Sequence, residues 1–171
     1  MTRHRGFRIA ARVLLALAGV VAGFWLLVDP IRSLEGQAAA FLAGEVLGAP
    51  LTPFGSDLLI APRTGPVFFG IVTQSCSSAP LLGGLALVAG LALPKRLHRR
   101  YSAFLVAALV VLTLNVARLG FAAWVGATWG MEKMATFHDL AGTPMTLIGS
   151  ALGVIVLWRL AVGRLPQAAA T

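Results

Sequence analysis

The stretch Tyr101–Val125, YSAFLVAALVVLTLNVARLGFAAWV, decides the fold, and its only charged residue is Arg118. At 1.5 Å of rise per residue, about 20 apolar residues in a helix cross the ~30 Å hydrocarbon core of a bilayer. A bilayer offers the backbone no hydrogen-bond partners, so a helix is the form such a run must take. Three more apolar runs flank this one. Residues 9–28 are closed by Asp29-Pro30, residues 76–93 by Pro94, and the last run, within residues 144–160, reaches Trp158 before Arg159 and Arg164. The expected fold is an all-α integral membrane protein, residues 1–171 forming one membrane domain with about four transmembrane helices. The basic leader before residue 9 resembles a signal peptide. The run after it is long for such a segment and lacks a nearby small-x-small cleavage site, so it reads as a retained anchor.

Composition agrees with this reading. Of 171 residues, 58% are hydrophobic and 12% charged, more apolar surface than a soluble core of this size can use. The net charge of +8 is concentrated at span ends: Arg3, Arg5, Arg8 and Arg12, then Lys95, Arg96, Arg99 and Arg100, then Arg159 and Arg164. That distribution follows the positive-inside rule and puts both termini in the cytoplasm. A soluble nucleic-acid module would spread its cations over a polar face with base-reading partners, so no nucleic-acid partner is expected. Residues 29–75 and 126–143 become the external regions, and Asp29, Glu35, Glu45, Asp57, Glu132 and Asp139 all fall within them.

The first external region has structure of its own. Residues 31–47 carry Glu35 and Glu45 among alanines and read as a short helix on the outer surface. Pro50, Pro53, Pro62 and Pro66 then interrupt any helix. Between them Leu58–Ile60 and Val67–Phe69 read as short extended segments. Gly83, Gly84 and Gly90 on the second span would let another helix approach closely.

The topology brings chemistry together. Cys76 starts the second span on the outer side. Arg118 lies about 25 Å from the inner end of the third span, close to the outer interface. His138 precedes the last span. A thiol, a guanidinium and an imidazole thus share one membrane level. The thiolate is the reactive form of cysteine and a nearby cation favours it. Histidine can take a proton and return it to a leaving amine, and arginine can offer paired donors to an oxyanion or carboxylate. The set suits acyl transfer through a thioester.

Each residue also has a plainer reading. A lone cysteine can be an inert buried thiol, an intermolecular bridge or a nucleophile, and it forms neither an intrachain disulfide nor a cysteine-based zinc site. A loop histidine is often only solvated. Arg118 is costly within a span and so defaults to a paired or functional role, unless it snorkels to headgroups. Asn115, one turn earlier on the same face, orients Arg118 or packs against another helix. Asp139 adjoins His138, and adjacent residues of a helix point apart. His4 and His98 lie among cytoplasmic arginines. Serine-hydrolase, zinc-protease and phosphate-loop patterns are absent, and no cofactor or metal is implied.

Three blocks carry a family resemblance: Thr73-Gln-Ser-Cys76-Ser-Ser, Asn115-Val-Ala-Arg118 and His138-Asp-Leu-Ala-Gly142. In order and spacing the chain resembles the exosortase/archaeosortase family of membrane cysteine transpeptidases, in a short, minimal-core form. The resemblance implies a substrate anchored by a C-terminal motif, a transmembrane helix and a basic tail. It implies Cys76 as nucleophile, His138 as acid/base and Arg118 as stabiliser, supported by Thr73 and Asn115, at the extracytoplasmic face of the cell membrane. Ser77-Ser78 stands where many relatives have serine then glycine. Two other readings stay open: a membrane cysteine protease that releases its product by hydrolysis, and a non-enzymatic scaffold whose cysteine only packs.

Overall fold

A computed structural model describes residues 2–63, 65–91 and 97–162. The chain is mostly helical with one small sheet, and three helical stretches are long and apolar enough to cross a membrane: Val13–Val46, His98–Trp129 and Met131–Val162. Their outward side chains are large and apolar. Leu15, Leu26, Trp25 and Leu147 are each about two-thirds or more exposed, an arrangement that suits lipid rather than water as the surrounding solvent.

Helix α1 (Thr2–Phe41) corrects the expected break at Asp29-Pro30. Proline lacks an N–H and crowds the carbonyl four residues back, yet the helix continues through it. Arg32 Nη1 donates to Asp29 Oδ1 at 3.0 Å, an i,i+3 pair spanning the weakened turn. Residues 31–41 are therefore the end of the first helix and not a separate surface helix. A π-helical turn, Leu42–Val46, then ends it, with Gly48 at φ +68° leading the chain away.

The external segment folds as an antiparallel meander of β1 (Leu51–Phe54), β2 (Asp57–Ile60) and β3 (Phe68–Ile71), in the order β1-β2-β3. The segment expected at Leu58–Ile60 falls on β2, and the one expected at Val67–Phe69 overlaps β3, which starts at Phe68. β1 was not expected because it contains Pro53; as an edge strand it needs no donor on its outer side. Leu51 pairs with Ile60 and Asp57 with Ile71. Leu58 and Ile60 point inward and pack on small side chains: Ala40 at the end of α1, Ala43 in the π-helical turn after it, and Ala123 and Ala127 further along the chain. The sheet is thereby pinned over the ends of two long helices.

Helix α2 (Ala79–Leu91) begins three residues later than expected and is described for 13 residues. That is about 20 Å of helix, shorter than the hydrocarbon core, and residues 92 and 93 of the expected span lie outside the described residues. Arg100 Nε donates to Ala89 O at 2.8 Å and closes the hairpin into α3 (Leu97–Trp129). α3 is the central element, packed against α1, α2, α4 (Met131–Phe137) and α5 (Thr143–Val162). Leu85 and Ala89 of α2, Ala103, Ala107 and Val111 of α3, and Leu157 and Ala161 of α5 form one core.

Close approaches fall on other glycines than those expected. A Cβ at Gly84 or Gly90 would meet nothing within 4 Å, and one at Gly83 would only touch Val20 at 3.4 Å. One at Gly36 would stand 2.8 Å from the Ser56 carbonyl oxygen, and one at Gly153 2.6 Å from Val111 Cγ2. Gly36 seats the β1–β2 turn on α1; Gly153 lets α5 lie on α3.

Candidate active site

The Cys76 turn is built by local hydrogen bonds. The amides of Cys76 and Ser77 both donate to Thr73 O, at 3.0 and 3.2 Å. Ser77 Oγ accepts from the amide of Ala79 at 3.2 Å, capping the start of α2. The turn hangs from β3 by Val72, whose carbonyl accepts from Arg32 Nε at 2.8 Å. Sheet, α1 and α2 together fix where the thiol points.

His138 arrives from the other side. The second external region, expected as a loop, is helical from Met131 onward, and His138 opens a π-helical turn, His138–Gly142, between α4 and α5. A π turn carries an extra residue and re-aims side chains, and such turns are frequent at functional sites. Here it sets His138 Nε2 3.4 Å from Cys76 Sγ, within hydrogen-bond reach for sulfur. Thr73 Oγ1 donates to the same sulfur at 3.2 Å and is 2.9 Å from Ser75 Oγ. The other ring nitrogen, Nδ1, is 3.5 Å from Asp139 Oδ1. The two neighbours thus do approach, but the contact is at the limit for a hydrogen bond and Asp139 is exposed.

Arg118 is buried, 6% exposed, rather than turned toward headgroups. Its Nη2 donates to the Cys76 carbonyl and its Nε to Asn115 Oδ1 at 3.1 Å. Asn115 Nδ2 also donates to the Cys76 carbonyl, at 3.0 Å. The guanidinium therefore holds the backbone of the cysteine and makes no hydrogen bond to its sulfur or to His138 among the described residues. All five residues singled out in the sequence, Thr73, Cys76, Asn115, Arg118 and His138, converge.

One participant was missed. Glu35, assigned to the outer surface, is completely buried. Its carboxylate accepts from Ser77 Oγ at 2.6 Å, from the Ser78 amide at 3.0 Å and from Asn115 Nδ2 at 2.8 Å. The signal was present: Glu35 adjoins Gly36, Ala39, Ala40 and Ala43, a face of small residues at helical spacing. A carboxylate on a packed face must find donors.

Cys76 and His138 open onto a cavity of about 390 Å³ between β3, α3 and α4. Leu58, Ile60, Leu119, Ala123 and Met134 give it an apolar floor, while Thr73, Ser75 and Asp139 stand at its polar side. The site can present a nucleophile and a proton carrier to a bond held in an apolar cleft. Together, fold and site define a helical chain with three stretches long and apolar enough to cross a membrane and a cysteine–histidine pair at one end of its helix bundle. No family model, no curated protein and no solved structure matches the chain.

Proposed function

We propose that this chain is a membrane cysteine transpeptidase of the exosortase/archaeosortase kind, reduced to a catalytic core. Cys76 Sγ attacks the scissile carbonyl of a substrate anchored by a C-terminal motif, helix and basic tail. His138 takes the thiol proton and delivers it to the leaving amine as the C–N bond breaks. An acceptor nucleophile then attacks the thioester carbonyl and gives its proton to His138; the C–S bond breaks, and the departing thiolate takes that proton from His138. Arg118 holds the Cys76 carbonyl and, through its remaining Nη1 donor, serves the oxyanion or a substrate carboxylate. The carrying observation is the 3.4 Å separation of Cys76 Sγ and His138 Nε2.

The proposed setting is the cell membrane, crossed four times, with both termini inside. The antiparallel course of α3 and α5 supports it. Arg99 and Arg100 at the start of α3 share one end of the bundle with Arg159 in the last turn of α5. Cys76, Arg118 and His138 belong to the opposite end, which the positive-inside rule makes extracytoplasmic.

The test is Cys76→Ala in cells that also make a protein bearing the motif, helix and basic tail. The anchored precursor accumulates while the variant's abundance and membrane fraction stay unchanged. Undiminished processing sinks the reading. Mass spectrometry of the new C-terminus separates transfer, which leaves an adduct, from hydrolysis, which leaves a free carboxylate.

A further inference from the structure

The buried carboxylate of Glu35 lies 80 residues from Asn115 in sequence and shares its Oε1 with that residue's amide. Every group facing it is a donor: a hydroxyl, a backbone amide and a side-chain amide. Asn115 passes the link on, because its Oδ1 accepts from Arg118 Nε at 3.1 Å. Arg118 itself is buried and has no direct ion pair among the described residues. A buried cation needs a compensating charge, and the carboxylate one amide away is the group in place to supply it. The same carboxylate grips Ser77 and Ser78, the two residues following the thiol.

We propose that Glu35 is a positioning residue for the cysteine site, acting through Asn115 as the counter-charge of Arg118 and through Ser77 and Ser78 as the anchor of the Cys76 turn. This rests on the reading of Cys76 and His138 as a working pair. Glu35 touches neither substrate nor thiol. It keeps the guanidinium on the Cys76 carbonyl and the sulfur within reach of His138.

The donor pattern makes an exchange possible that a merely space-filling role would not predict. In Glu35→Gln the shape survives and the charge is lost. In Asn115→Asp two carboxylates meet head-on where 2.8 Å now separates donor from acceptor. With both changes the amide and the carboxylate trade places. The amide introduced on α1 donates to the carboxylate introduced on α3, while its carbonyl still accepts from Ser77 and Ser78. The relocated carboxylate then pairs directly with Arg118, and the Cys76 carbonyl, which loses the Asn115 amide as a donor, is held by Arg118 alone.

The experiment follows alkylation of Cys76 by iodoacetamide in the full chain. Cys76 is the only cysteine, so the label is specific to it. In the unchanged chain, His138→Ala should alter the alkylation rate about 10-fold, the coupling of two residues in contact. In the Glu35→Gln and Asn115→Asp backgrounds that dependence should shrink below about 2-fold, and the double variant should recover most of it, Arg118 alone then holding the Cys76 carbonyl. Full His138 dependence in Glu35→Gln overturns the role of Glu35 alone. No dependence in the unchanged chain overturns the catalytic pair and this inference with it. If a single variant fails to accumulate, recovery of both abundance and coupling in the double variant supports the exchange, and failure to recover overturns it.

Discussion

Cys76 Sγ and His138 Nε2 stand 3.4 Å apart although 62 residues of chain separate them. Neither sits on a regular part of a long helix. The thiol occupies a turn between a sheet and a helix, the imidazole a π-helical turn between two helices. The long helices hold these two irregular pieces in register, so the pair depends on tertiary packing and on little local preference.

If His138 carries the proton, His138→Ala should lower precursor processing by about 10²-fold or more, the usual range for losing a general acid–base group. Asp139→Ala should cost less than about 3-fold, because its 3.5 Å contact with Nδ1 is long and exposed. Immunoblots of precursor and product over time read both. Equal losses in the two variants would instead make the pair act as one unit.

Arg118→Lys should be nearly as damaging as Arg118→Gln. The guanidinium serves Asn115 and the Cys76 carbonyl from different nitrogens, and a single ammonium on a flexible stem does not reproduce that fork. Turnover should fall about 10-fold or more with protein abundance unchanged. A fully active lysine variant would show that only a positive charge is needed.

How much of this was legible in the sequence differs by residue. Hydropathy alone located the third helix, and the cost of Arg118 within it announced a partner. Topology put Cys76 and His138 at the outer ends of their spans, and depth counting brought Arg118 to the same level because helical rise is a fixed ruler. Pro30 misled, since proline forbids one hydrogen bond and the rest of α1 outweighs that loss. Glu35 was hidden by the same error: once the helix is cut at Pro30, the next segment reads as a surface helix and its carboxylate as solvated. The π turn at His138 leaves no compositional mark, so its helical setting was not readable.

Gly36→Ala should destabilise the fold. Its Cβ would stand 2.8 Å from a backbone carbonyl of the β1–β2 turn, which has no rotamer with which to yield. A loss of about 1–3 kcal/mol is expected for such overpacking, read as a lower midpoint of thermal unfolding in detergent. Gly84→Ala is the matched control. Nothing lies within 4 Å of its Cβ, and alanine in a helix interior should be neutral or favourable by up to about 1 kcal/mol.

Sidedness can be tested with the native thiol. Cys76 is half-buried and opens onto the cavity beside His138, so a small maleimide should reach it. In intact cells a membrane-impermeant maleimide should label the chain, and Cys76→Ser should abolish the label completely, since no other cysteine exists. The basic residues Arg99, Arg100 and Arg159 at the other end predict the converse for cysteines introduced there in a Cys76→Ser background. Those should react only after the membrane is opened. Labelling of Arg99→Cys in intact cells, with Cys76 protected until lysis, would invert the topology and move the site to the cytoplasmic face.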